Sequence, residues 1–225
     1  MARPAALRSV PTRAGTQTRH WLLAGDEAAT VFAAEAACRR AVLEVLPSAP
    51  HAPTGSADEC HESVLATRLD DPVAWTDFGV RPELSDLVAL HAGRLDEEAE
   101  AQLAGPRAAL VAATVELLDR RGWCPPGTAW DLSGHLWYRA GTVLGWHTNT
   151  RVPGWRAYLT WVGEPGRSFF RHRDPADGRI QTSEDQGLDL RLFPVSDADP
   201  LWHCVWAGTD RHSLGLRLVD TDDQG

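Results

Sequence analysis

Beyond Gly122 the chain breaks into short segments of β character at near-even spacing: 134–139, 142–147, 156–162, 167–172, 178–182, 188–193, 201–206 and 211–219. Each is bounded by Gly, Pro or Asp, which end strands by turn chemistry. Eight short strands at this interval predict a double-sheet jelly roll of the cupin type, within the α+β class. Such a roll has a mouth where side chains from facing strands converge. No internal repeat or low-complexity tract interrupts the pattern.

Before Gly122 the texture is helical. Asp26 is placed to cap a helix in which Val31, Ala34, Cys38, Val42 and Val45 recur at helical spacing, ending before Pro47. Glu35 and Arg39 form an i,i+4 pair assigned to its outer side. Residues 47–59 read as a loop. A second long helix is expected to start near Pro106 and stop at Gly122, with Leu110, Ala113 and Leu117 on one face and shorter helical pieces over 83–103. The expected organisation is a flexible basic tail at 1–20, a helical region at 21–122 packed on the core, and a jelly-roll core at 123–220.

Bulk properties exclude several functions. The formal charge is −9, which argues against nucleic acid and anionic membrane as partners. No apolar run is long enough for a membrane span. The first twenty residues carry arginines but no apolar signal core, so a cytoplasmic location is expected. Lysine is absent from the sequence, so lysine nucleophiles are excluded and any anion must be held by guanidinium or backbone. The four cysteines (Cys38, Cys60, Cys124, Cys204) contain no CxxC pair and are read as reduced thiols. Of ten tryptophans, six lie between 123 and 161. They are read mainly as core or pocket wall.

The chemistry is concentrated in the last third. Gly145-Trp146-His147-Thr148-Asn149 is followed by Leu201-Trp202-His203, 56 residues on from His147, and then by Arg211-His212-Ser213. Trp137-Tyr138-Arg139-Ala140-Gly141 precedes the first histidine, and Arg156-Ala157-Tyr158-Leu159 follows it. Over roughly 134–219 this resembles the Fe(II)/2-oxoglutarate-dependent dioxygenases. There, two imidazoles and one carboxylate hold iron on one face, leaving positions for cosubstrate and O2. The resemblance implies Fe(II), 2-oxoglutarate and O2, with His147 and His203 as metal ligands. It implies Arg211 and Ser213 as the anchor of the far carboxylate of 2-oxoglutarate, Tyr158 as a further hydrogen bond, and Tyr138 lining the cosubstrate pocket.

Asn149 departs from the pattern, because a carboxylate is expected in its place. Three consequences compete. Chloride could occupy the vacated corner, as in the halogenases this family includes, since a halide restores the missing charge; the size of Asn opposes this. Asn149 could itself act as a weak ligand in a hydroxylase. The fold could also be a binding module without turnover. Halogenation is the preferred outcome at this stage, with hydroxylation next. His172-Arg173-Asp174 offers an alternative His-x-Asp, but Asp174-Pro175 looks like the start of a turn.

The substrate is expected to be a small anionic metabolite, with a nucleotide among the candidates. Arginines crowd the segment after His147, and Arg151, Arg156 and Arg173 are the candidate contacts. Trp146, with Trp155, would stack on a ring.

Overall fold

The computed structural model describes residues 18–46, 55–70, 87–91, 93–123, 128–149, 152–196 and 198–219. The expected basic tail therefore lies outside the described residues except at its end. There Arg19–Leu22 forms a strand, β1. Every expected β segment contains a strand: β3 (Trp130–Tyr138), β4 (Thr142–His147), β5 (Gly154–Val162), β6 (Ser168–Arg173), β7 (Ile180–Glu184), β8 (Leu188–Val195), β9 (His203–Ala207) and β10 (Arg211–Leu218). A short strand β2 (Leu87–Ala89) pairs with β3.

The strands form two antiparallel sheets. One has the order β1-β8-β5-β10-β3-β2 and the other β4-β9-β6-β7. From β3 onward the chain passes repeatedly between them, and apart from the β6–β7 hairpin the pairings join strands distant in sequence. This is the double-stranded β-helix, or jelly roll, with open edges rather than a closed barrel. The edge strands β1 and β2 come from before Gly122, so the change of texture there does not divide sheet from helix.

Alternation along the strands sorts the core. From β3, β5, β8 and β10, the residues Trp137, Ala157, Leu159, Leu190, Leu192, Leu214 and Leu216 face a helical layer. Between the sheets lie Tyr138, Leu144, Phe170, Phe193, Val195, Val205 and Ala207. The helical layer is α1 (Ala29–Val45) packed on α3 (Glu97–Arg120). A shorter helix α2 (Glu62–Leu69) lies behind β4, where Cys60, Leu65, Val143, Trp146, Trp202 and Cys204 cluster.

Three expectations change. Asp26 lies in a 3-10 turn ahead of α1 and makes no capping bond. Glu35 is not on the outer side. It pairs with Arg39 at 3.1 Å but is 3% exposed and turned to the sheet. The second long helix starts at Glu97 and runs through Pro106. Its start is set by Asp96, whose carboxylate accepts from the Ala99 amide at 2.8 Å, and by Glu97, Glu98 and Glu100 in the first turn, which suit the helix dipole. Capping outweighed the preference of proline for a helix start.

Candidate metal and anion site

His147 ends β4 and His203 begins β9, and the two are register partners. Both side chains point between the sheets, and their ring centroids are 4.1 Å apart. Each Nδ1 donates to a main-chain carbonyl two residues earlier, His147 to Gly145 at 2.8 Å and His203 to Leu201 at 2.9 Å. That fixes the tautomer and puts the lone pair on Nε2, the arrangement a metal-ligating imidazole needs. Burial, and then the neighbouring His147, hold the His203 imidazole well below its ordinary basicity, with Arg156 adding in the same direction. His203 is therefore neutral across the physiological range. The donor set fits a soft-to-borderline divalent cation such as iron.

Asn149 stands beside His203. Its Nδ2 donates to the Tyr158 hydroxyl at 3.1 Å and lies 3.3 Å from His203 Nε2. The amide thus lies against the His203 ring and the Tyr158 hydroxyl instead of leaving that place open. Tyr158, from β5, stacks edge-on against Phe193. Burial raises its phenol above the ordinary value, so it stays protonated and can donate.

The alternative His-x-Asp separates. His172 is the register partner of His203 on β6, so a third imidazole shares the row, and its Nδ1 has no hydrogen-bond partner. Asp174 instead accepts from the Ala176 amide at 2.9 Å and from Gln181 Nε2 at 2.8 Å, holding the turn into β7. Periodicity along β6 (Ser168, Phe170 and His172 inward) was the signal that could have placed His172 at the site without Asp174.

The anion anchor is where sequence and structure part. Arg211 is 1% exposed and faces inward on β10, against the ring of Tyr138 at 4.9 Å. It is not open to a ligand carboxylate. Its Nε donates to Asp185 Oδ2 at 3.0 Å and its terminal nitrogen to Thr160 Oγ1 at 3.2 Å. Arg191 approaches the other oxygen of Asp185 at 2.7 Å, as an ion pair off hydrogen-bond angle, and donates to Ser183. Asp185 is fully buried. Burial alone would raise its pKa, but Arg211 and Arg191 together hold it below the ordinary carboxylate value. An internal carboxylate therefore sits where the far carboxylate of 2-oxoglutarate was expected, and the residues at Arg211 do not fit that group as they stand. Ser213 lies inward on the same strand, opposite Thr160. Sequence reading missed Asp185, because its loop carried no motif.

Arg156 differs from Arg211. It is 3% exposed and on the inward face of β5, two residues from Tyr158. Its guanidinium donates to the carbonyls of Val152 and Trp155. Among the described residues it pairs with no carboxylate. Desolvation lowers its pKa, as expected of a buried cation lacking a counter-ion.

The other substrate candidates turn away. Trp146 is 1% exposed on the opposite face of β4 from His147, and its Nε1 donates to the His61 carbonyl at 3.1 Å. Trp155 packs with the helical-layer core. Arg173 lines a surface groove with His61, Glu62, Leu65 and Ile180. The alternation along β4, β5 and β6 turns these side chains away from the space between the sheets. Arg151 lies outside the described residues.

Fold and site together define a jelly roll with paired imidazoles buried on its four-stranded sheet. No family model matches the chain, and no curated protein sequence does. Solved structures do. A prolyl-4-hydroxylase of Pseudomonas putida aligns with TM-score 0.44 and 15% identity over 89% of this chain and 91% of that one. The dioxygenase for auxin oxidation 1 of Arabidopsis thaliana, in its 2-oxoglutarate complex, aligns with TM-score 0.46 and 11% identity over 92% and 84%. A 2OG-Fe(II) oxygenase family protein of Burkholderia pseudomallei aligns with TM-score 0.38 and 13% identity over 88% and 92%. By their own names, these neighbours are a hydroxylase, a dioxygenase and an Fe(II)/2-oxoglutarate oxygenase. Among the described residues, no helix is long and apolar enough to cross a membrane.

Proposed function

We propose that this chain binds Fe(II) through His147 and His203, with Asn149 as the third, neutral ligand, and oxidises a C–H bond of a small anionic molecule in the manner of the Fe(II)/2-oxoglutarate oxygenases. The observation that carries this reading is the cross-strand pairing of His147 with His203, each ring fixed by its own Nδ1 bond. When bound, iron with a keto-acid cosubstrate supplies the activation of O2. The protein's own residues hold and orient. Tyr158 steadies the Asn149 amide, and rotation of that amide would present its oxygen to the cation. Phe170 and Phe193, flanking His203 at 5.3 and 5.9 Å, keep water from the rings.

The position of Asn149 supports oxygen insertion over halogenation, since a chloride would need the corner that the amide fills. The anionic substrate or cosubstrate docks on Arg156, the buried guanidinium without an acidic partner among the described residues, and not on Arg211. A nucleotide has lost its supports, because Trp146, Trp155 and Arg173 face elsewhere.

Anaerobic titration with Fe(II) and 2-oxoglutarate, followed by the visible charge-transfer absorption of the chelate, tests both parts. The absorption should vanish in His203→Ala and should need far more 2-oxoglutarate in Arg156→Ala. Absence of iron binding by the unmodified protein overturns the proposal. One observation favours a second reading, a binding module without turnover: Asp185 neutralises the anchoring arginine from within. That reading requires that no succinate form with iron, 2-oxoglutarate and O2 present.

A further inference from the structure

On the opposite face of the six-stranded sheet, under α1, a second group of ligating side chains converges. Cys38 of α1, His135 of β3 and His212 of β10 place their ligand atoms within 4.8 Å of one another. His135 Nε2 and His212 Nε2 are 2.8 Å apart, and Cys38 Sγ is 3.9 Å from His135 Nε2. The imidazole centroids are 5.0 Å apart with planes inclined by 53°. Cys38 and His135 are 0% exposed and His212 is 2% exposed. This group shares no residue with the His147–His203 pair.

We propose that Cys38, His135 and His212 are three ligands of a structural zinc ion that joins α1 to the outer face of the sheet. Tetrahedral zinc, with bonds of about 2.0 Å to nitrogen and about 2.3 Å to sulfur, sets ligand atoms roughly 3.3–3.7 Å apart and imidazole centroids about 5 Å apart. Two of the separations, 2.8 and 3.9 Å, lie within about half an ångström of that range, and all three ligand atoms fall within 4.8 Å of one another. The far side of His212 is already arranged for coordination. Its Nδ1 is 3.2 Å from Glu35 Oε1, a carboxylate–imidazole pair that orients a ligand ring and strengthens it as a donor. Glu35 is held in turn by Arg39.

Charge agrees with this. A thiolate ligand and the Glu35 carboxylate, the latter shared with Arg39, bring negative charge to a dication in a site with no solvent to screen it. Burial pushes the free Cys38 thiol up to about 12 and the His135 imidazole down to about 2. The metal-free cluster is thus a neutral thiol beside a neutral ring, and zinc exchanges for the thiol proton on binding. A soft thiolate with two imidazoles selects zinc over magnesium or calcium. The site also bears on the one across the sheet, because His212 lies between Arg211 and Ser213. A metal on His212 fixes the register of the strand whose other face carries the Arg211–Asp185 pair.

Cobalt substitution tests the proposal, because a thiolate ligand produces a near-ultraviolet charge-transfer band that the His147–His203–Asn149 set cannot. The full chain carrying His147→Ala and His203→Ala should still bind about one zinc per molecule, as expected of a single remaining site, when metal content is measured after gel filtration. Its cobalt form should show the thiolate band and the intense visible absorption of tetrahedral Co(II). Adding Cys38→Ser should abolish the band and release the zinc. If the serine variant does not fold, the spectrum of the His147→Ala/His203→Ala protein decides alone. A cobalt form without the thiolate band, or no retained zinc, overturns the proposal and leaves the cluster as a hydrogen-bonded His–His–Glu relay.

Discussion

Replacing Asp185 with alanine removes the carboxylate shared by Arg211 and Arg191 and leaves two guanidiniums facing one another inside the roll. The contacts are 3.0 and 2.7 Å, and side-chain exposure is at most 1% for all three residues. Breaking a buried ion pair on one side costs about 3–5 kcal/mol, because the surviving charge loses its partner without regaining water. The two cations left here put the loss at the upper end of that range. For a chain of this size each kcal/mol lowers Tm by roughly 2–4 °C, so the expected fall is about 10–20 °C. Differential scanning calorimetry and urea titration measure it.

The pH dependence follows from the same arrangement. The folded pKa of Asp185 is lowered from 3.8. Its stabilisation is therefore present above the unfolded value and is lost only as pH falls from there through the folded pKa. The Asp185→Ala penalty should be equal at pH 5 and pH 8. The vacated space faces Arg211, Thr160 and Tyr138, so a small dicarboxylate should now bind there. A ligand at a hundred times its Kd restores about 2.7 kcal/mol, so the variant should recover more Tm than the unmodified protein gains through Arg156. A loss under about 1 kcal/mol would place Asp185 among surface pairs and refute the reasoning. So would equal stabilisation of both proteins by glutarate, which would mean that removing Asp185 creates no anion site at Arg211.

Asn149→Asp should tighten Fe(II) binding by about tenfold or more, since it adds a charge-assisted bond beside two neutral imidazoles; equal affinity in competitive titration would mean that residue 149 does not touch the metal. Trp146→Phe should cost about 1 kcal/mol of stability through the lost bond to the His61 carbonyl and leave turnover unchanged, as read from denaturant midpoints and steady-state rates. Gly208→Ala should destabilise by about 1–3 kcal/mol through overpacking, because a Cβ there would lie 2.3 Å from the Arg167 carbonyl oxygen; an unchanged urea midpoint would contradict the close approach.

The architecture was legible because strand length and spacing are local properties. Each of the eight segments needs only its own bounding Gly, Pro or Asp to be recognised, and the motif around His147 and His203 needs only order along the chain. What was illegible depends on facing direction. Arginine density after His147 looked like a basic mouth, but neighbouring positions on a strand point to opposite faces. Arg156 faces in, while Arg173 faces out and lines an outer groove. Asp185 could not be found at all, since a carboxylate in a loop acquires meaning only when two buried guanidiniums from β8 and β10 arrive beside it.

Strand β10 shows how far a single element can serve both faces of a sheet. Its odd positions Arg211 and Ser213 look into the roll, and its even positions His212, Leu214 and Leu216 look to the helices. In sequence, Arg-x-Ser drew attention as an anion anchor and the residue between was passed over. In space that intervening residue is His212, bonded toward Glu35 and His135, while the anchor is satisfied by the protein's own Asp185. The strand is therefore pinned from both sides by buried polar contacts. Such contacts tolerate no slip of register, because a shift by one residue would exchange Arg211 with His212 and leave a buried charge on each face without its partner. The precision this imposes extends through the β10–β5 pairing to Tyr158 and Asn149. A cluster on the other face of the sheet thereby bears on the Asn149–Tyr158 contact beside His203.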